Sequence, residues 1–191
     1  MGAIPVPKLS VEEYLAIDRA AEIPSEYHDG EVFPIEAVSL RHAMIDRNLL
    51  VLLSQGLRKT ACQALGSAVR VRVSPTKYLI PDMMVVCGKP AVTDDYQDAV
   101  TNPRVILEIL SPSTSGYDYT DKFMFYRRLE SFEEYLLAAQ DRPRVEVFRK
   151  TSNVRWILNT YEGLDACVQL ESLGISLPMA DIYEGVELSE L

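Results

Sequence analysis

Val105-Ile106-Leu107-Glu108-Ile109-Leu110 decides the fold: five aliphatic residues enclose one carboxylate in a run of strand length. Pro103 stands just upstream, and Ser111-Pro112-Ser113-Thr114-Ser115-Gly116 breaks the run downstream. An unpaired carboxylate inside such a strand costs several kcal/mol, so Glu108 calls for a cation, a proton or a metal ion beside it. Upstream, Tyr78-Leu79-Ile80-Pro81-Asp82-Met83-Met84-Val85-Val86-Cys87 repeats the pattern, with Asp82 at the entry to another apolar strand. Two acids on two core strands point to a metal site.

Outward from these strands, Val69, Val71 and Val73 alternate with Arg70, Arg72 and Ser74, the period of a half-buried strand. The polar stretch Thr93 to Asn102 reads as a loop. Ser10 to Glu13 has capping-box spacing, which predicts a helix near residues 10–20. Asp29-Gly30 between short strand-like runs predicts a hairpin. Ser39 caps a longer helix in which Ile45, Leu49, Leu52, Leu53 and Leu57 recur at helical spacing. After the Glu108 strand, Tyr119, Lys122, Phe123, Tyr126 and Leu129 fall on one face of a helix from Asp118 to about Leu129, which puts Lys122 on the apolar stripe. Strands are expected over 135–139, 145–148, 154–160 and 166–170. Runs of strands mixed with two main helices give an α/β (mixed α+β) fold class.

The 191 residues, 48% hydrophobic and 25% charged, suit one well-buried core, so the expectation is a single domain over 1–191. No apolar stretch approaches a membrane span and the N-terminus lacks a secretory layout, which together predict a soluble, cytoplasmic protein with no membrane partner. Cys62, Cys87 and Cys167 are far apart in apolar contexts and read as buried free thiols. The net charge of −9 argues against binding nucleic acid through phosphate neutralisation, but its location matters. Residues 161–191 hold seven acids and no Lys or Arg, leaving 21 of the 28 acids against all 19 bases elsewhere. A local basic face is then open to Arg70, Arg72 and Lys77, or to Arg127, Arg128, Arg142, Arg144, Arg149 and Lys150, against the plainer reading of a solvated charge mixture.

Asp82, Glu108 and Lys122 supply two hard oxygen ligands and a cation, a set suited to phosphodiester cleavage. Mg²⁺ keeps several waters and takes only one or two protein carboxylates, so two acids suffice for Mg²⁺ or Mn²⁺. Such a metal polarises a phosphate and acidifies a water, while Lys122 orients the water or stabilises charge on the phosphate. Asp118, four residues before Lys122, supports the structural alternative of a simple helical ion pair.

The segments SEYHDGEVFPI, PDMMVVCGKP and NPRVILEILSPSTSGYDYTDKFMFYRRLESFEEYLL, followed by LPMADIYEG, resemble the bacterial putative restriction endonuclease family of the PD-(D/E)XK nuclease superfamily. The likeness covers almost the whole chain and is most specific in the ILEILSPST…D…K…Y block. It implies a restriction-endonuclease-like fold, a central mixed sheet flanked by helices, with metal ligands at Asp82 and Glu108. The superfamily's lysine would stand two residues after the Glu, where this chain has Leu110; Lys122 occupies the position to which the family's lysine has moved. Glu26 and His42 match weaker family features, as an outer ligand or a base. Ser111 and Ser113 have no accompanying Ser-His-Asp pattern and shape the strand exit.

The resemblance implies a divalent-metal-dependent endodeoxyribonuclease, with DNA as partner and catalytic residues Asp82, Glu108, Lys122, Glu26 and His42. The second reading is a catalytically degenerate nuclease-fold module for binding or assembly, favoured by Leu110 and the acidic C-terminal stretch. A third is a carboxylate metal site acting on another phosphate ester. A homodimer, through a C-terminal edge strand or the first helix, is expected by analogy alone.

Overall fold

The computed structural model describes residues 8–67, 69–93 and 96–188; Asp94 and Asp95 of the polar stretch and Glu190 of the acidic C-terminal stretch lie outside them. Along the chain run α1 (Val11–Ala20), β1 (Ser25–His28), β2 (Glu31–Pro34), α2 (Leu40–Gly56), β3 (Cys62–Gly66), β4 (Arg70–Ser74), β5 (Lys77–Leu79), β6 (Met83–Cys87), β7 (Ala99–Val100) and β8 (Pro103–Leu110). There follow α3 (Ser115–Tyr117), a π-helical turn (Asp118–Lys122), α4 (Phe123–Tyr126), β9 (Glu134–Ala139), β10 (Arg144–Ser152), β11 (Arg155–Glu162), β12 (Cys167–Leu170), β13 (Ile175–Pro178) and α5 (Met179–Ile182). Among the described residues no helix is long and apolar enough to cross a membrane.

The main sheet has six strands in the order β11-β10-β9-β8-β6-β3, mixed because β8 and β9 run parallel while the other pairs are antiparallel. Strand alternation divides its residues between two cores. Met83 and Val85 of β6 with Val105 and Leu107 of β8 pack with Ile45, Leu49 and Leu53 of α2. Met84, Val86 and Ile106 face the other way and pack with Tyr126, Phe132 and Tyr135. Glu108 lies two residues beyond Ile106, so the same period points it toward the helical segment that carries Lys122. The sheet's parity thereby decides which helix can compensate the acid.

The second sheet, β2-β1-β5-β4-β7, begins with the predicted hairpin. Asp29 (φ 52°) and Gly30 (φ 103°) both take the left-handed conformation that the tight turn requires. Both predicted caps form: Ser10 accepts from Glu13 N while Glu13 accepts from Ser10 N, and Ser39 Oγ accepts from His42 N at 3.1 Å.

Asp82 stands directly before β6, at the entry to an apolar strand as expected; β5 belongs to the second sheet and β6 to the main one, and the chain crosses between them at Ile80-Pro81-Asp82, where proline has no N–H for a ladder. Three expectations need correction. The loop after Gly88 contains β7, which pairs with β4. Helix 118–129 is interrupted by the π-helical turn, whose wider winding leaves Tyr119 exposed while Asp118, Lys122 and Tyr126 share the buried stripe. Finally, Cys62 and Cys87 are not free thiols: register places them opposite one another on β3 and β6, and they form a disulfide, while Cys167 is exposed. The short elements β3, β13 and α5 carry no periodic signal of their own and are visible only in the folded chain.

Candidate active site

The crossover at Ile80-Pro81-Asp82 brings β1 of one sheet beside β6 and β8 of the other. A cavity of about 670 Å³ opens there, and Glu26, His42, Asp82, Glu108 and Lys122 all line it. All five predicted residues therefore converge, although they come from β1, α2, the crossover, β8 and the π-helical turn.

Asp82 and Glu108 are tied reciprocally. Asp82 N donates to Glu108 Oε2 at 3.3 Å, and Ile109 N donates to Asp82 Oδ2 at 2.6 Å. Asp82 is the more open, its side chain 22% exposed against 3% for Glu108, so Asp82 forms the mouth and Glu108 the floor. His42 Nε2 lies 3.2 Å from Asp82 Oδ1. On the floor, Glu108 Oε1 receives the Tyr126 hydroxyl at 3.0 Å and the Lys122 ammonium at 3.0 Å.

Lys122 Nζ also lies 3.5 Å from Glu26 Oε1 and 3.6 Å from Asp118 Oδ1. The helical ion pair foreseen with Asp118 thus exists, but it is one of three contacts and the longest. Glu26 itself is anchored by Ile80 N at 3.0 Å and by the Tyr117 hydroxyl at 3.0 Å, and His28 Nε2 stands 3.3 Å from its Oε2. Tyr117 and His28 were invisible as site neighbours in the sequence because the hairpin and the helical segment meet only through the sheet crossover. Tyr126 was legible as a residue of the Lys122 stripe, but the reach of its hydroxyl to Glu108 was not.

Burial pushes the Glu108 carboxyl well above the usual carboxylate range; Lys122 opposes this, and Asp82, Asp118 and Glu26 add to it. Asp118 is raised by burial as well. Burial also acts to lift Glu26, but Lys122, His28 and the Ile80 amide outweigh it and leave Glu26 below its ordinary value. For Lys122, burial favours the neutral amine, yet Glu108, Glu26, Asp118 and Asp82 outweigh it and hold the ammonium well above its ordinary range. Four acids thus surround one firmly charged lysine, a surplus of carboxyl groups at the floor of an open cavity.

That surplus fits a divalent cation, and Asp82 with Glu108 provides the two hard oxygen donors that such an ion takes from protein. Among the described residues there is no cluster of three or more His, Cys, Asp or Glu arranged to hold a metal, so any ion here would complete its shell with water and substrate oxygen.

Several members of the candidate basic faces are engaged by acids. Arg70 is buried against Asp18 and Asp98 and Lys77 against Asp29, while the half-buried Arg144 faces Glu146 and Glu162 and Arg149 faces Glu171. Arg127 lies over Phe123 and Trp156, and Arg128 over Phe125.

Comparison with known proteins adds three findings. The Uma2 family model, described as "Putative restriction endonuclease", matches residues 11–180. Two proteins of Synechocystis sp. (strain ATCC 27184 / PCC 6803 / Kazusa) are similar over most of their length: "Uncharacterized protein sll1609" is 35% identical over 87% of this chain and 95% of its own, and "Uncharacterized protein slr1290" is 31% identical over 95% of each. Among solved structures, a chain described as "a putative nuclease belonging to DUF820" from Anabaena variabilis ATCC 29413 superposes with a TM-score of 0.74 at 18% identity, covering 94% of this chain and 98% of that one. At that identity the likeness speaks to the fold.

Proposed function

The chain belongs to the Uma2 family, described as putative restriction endonucleases, and from that premise we propose that it is a divalent-metal-dependent endonuclease hydrolysing phosphodiester bonds of DNA. The observation that carries this reading is the contact of Lys122 Nζ with Glu108 Oε1 at 3.0 Å, on the floor of a cavity whose mouth is Asp82. It puts a permanent cation beside the acid pair although Leu110 replaces the superfamily's lysine.

Asp82 and Glu108 would hold Mg²⁺ or Mn²⁺, which when bound polarises a phosphate and acidifies a water. Lys122, charged throughout the neutral range, stabilises the negative charge that gathers on the phosphoryl oxygens during attack. Glu26 is a positioning residue: it steadies Lys122 and accepts from the crossover amide of Ile80. His42 braces Asp82 through Nε2 and stands at the cavity wall, from which it would serve as the base that orients or activates the attacking water.

One observation favours the second reading, a nuclease-fold module without catalysis: the Lys122 ammonium itself occupies part of the coordination space of Glu108. Supercoiled plasmid incubated with Mg²⁺ or Mn²⁺ separates the two. Nicking that is abolished by chelator and by Asp82→Ala supports the nuclease; intact plasmid in both metals, with no metal heat detected by calorimetry, supports the module.

A further inference from the structure

We propose that the substrate enters this site as an unpaired DNA strand, its bases resting on the apolar rim formed by Phe33, Ile35 and Val38. The inference rests on the nuclease reading above and deepens it. Residues 31–40 are exposed except for the half-buried Ile35, although Val32, Phe33, Val38 and Leu40 are all apolar. Exposed apolar side chains gathered in one segment mark a contact surface. This segment is also the cavity wall: Phe33, Pro34, Ile35, Ala37 and Val38 line the same space as Asp82, Glu108 and Lys122. The Phe33 ring is held against His28, with centroids 5.0 Å apart, so it is already ordered as a stacking platform.

The choice of an unpaired strand follows from charge. Duplex DNA presents phosphates outward and keeps its base faces stacked, so a protein grips it mainly by neutralising phosphates. The cavity is lined by Glu26, Glu36, Asp82, Glu108, Asp118 and Asp121 against the ammonium of Lys122, so the site itself offers little to neutralise the phosphates of a duplex. The cleft of about 1090 Å³ that continues from the cavity past Ser39, Ser111 and Gln140 adds no cationic excess, being lined by Arg41 and Arg142 together with Asp141 and Glu187. Base faces, which an unpaired strand exposes, offer affinity at this site that phosphate neutralisation does not, and stacking on apolar and aromatic side chains supplies it without regard to sequence.

The test uses full-length Asp82→Asn protein, which should bind without cutting, and fluorescein-labelled oligodeoxythymidylate, free or paired with oligodeoxyadenylate, read by anisotropy in Mg²⁺. The single strand is expected to bind at least about 10-fold more tightly than the duplex, with a salt slope below about two, equivalent to few phosphate contacts. Adding Phe33→Ala or Val38→Ser should weaken the single strand by about 5- to 100-fold while leaving the thermal midpoint unchanged, because both side chains are exposed. Equal binding of duplex and single strand overturns the proposal, as does a dimer that dissolves on Phe33→Ala, which would assign the rim to a second copy of the chain. The nuclease reading survives either result provided that wild-type protein cuts plasmid or the single-stranded oligodeoxythymidylate in Mg²⁺; absence of both binding and cutting for every DNA form removes the reading and the inference together.

Discussion

Lys122 Nζ and Glu108 Oε1, 3.0 Å apart and both buried, join the π-helical turn to the central strand of the main sheet. The pair is a structural tie and a candidate catalytic unit at once, and the two roles separate by mutation. Lys122→Met leaves Glu108, Glu26 and Asp118 without their cation and should cost about 3 kcal/mol, the low end for a broken buried pair, because Glu108 can take up a proton. Adding Glu108→Gln should restore most of that stability in chemical denaturation. Plasmid cleavage should remain absent in the double variant; cleavage there would remove both residues from the mechanism.

Asp82 is the cleaner probe of metal binding. In Asp82→Asn the amide oxygen can still accept from Ile109 N, so the fold should lose no more than about 1.5 kcal/mol. Loss of the carboxylate should nonetheless abolish both Mn²⁺ binding by calorimetry and nicking. A variant that binds Mn²⁺ as the wild type does would place the ion elsewhere.

Much of this site was legible in the sequence because burial and period are local properties. Glu108 declared itself by the aliphatic residues around it, Asp82 by its place before an apolar run, and Lys122 by spacing along a helix. What the sequence withheld were choices made by tertiary structure. The π-helical turn rotates Tyr119 out of the stripe without any residue that signals it. The break at Pro81 hands β5 and β6 to different sheets, and only that exchange brings Glu26 beside Lys122. Strand register, which no spacing between distant cysteines encodes, puts Cys62 opposite Cys87.

The disulfide is a separate prediction, because whether such a bond persists depends on the redox conditions around it. It closes a loop with a sequence separation of 25, for which chain entropy alone gives about 3 kcal/mol. Dithiothreitol should therefore lower the denaturation midpoint of the wild type and leave Cys62→Ser/Cys87→Ser unaffected. Thiol titration of unfolded, unreduced protein should find one reactive group, Cys167; three would show that the bond does not form.

Glu108 should make the metal-free protein less stable than it need be. Burial holds its carboxyl, and that of Asp118, above the unfolded-chain values. Between those values and the raised ones the folded chain binds more protons than the unfolded chain, so stability falls as pH rises through that window. Lys122 does not offset the trend near neutrality, because its own raised value keeps it protonated there. The thermal midpoint without metal should accordingly be higher in mildly acidic buffer than at pH 7, and saturating Mg²⁺ should raise it most at the higher pH. Glu108→Gln removes the charge at its source: it should raise the midpoint at neutral pH, flatten this dependence and abolish cleavage, the trade of stability for activity expected of a functional acid. If Glu108→Gln instead lowers the neutral-pH midpoint, Glu108 is primarily the structural partner of Lys122 and Tyr126, and the second reading gains weight.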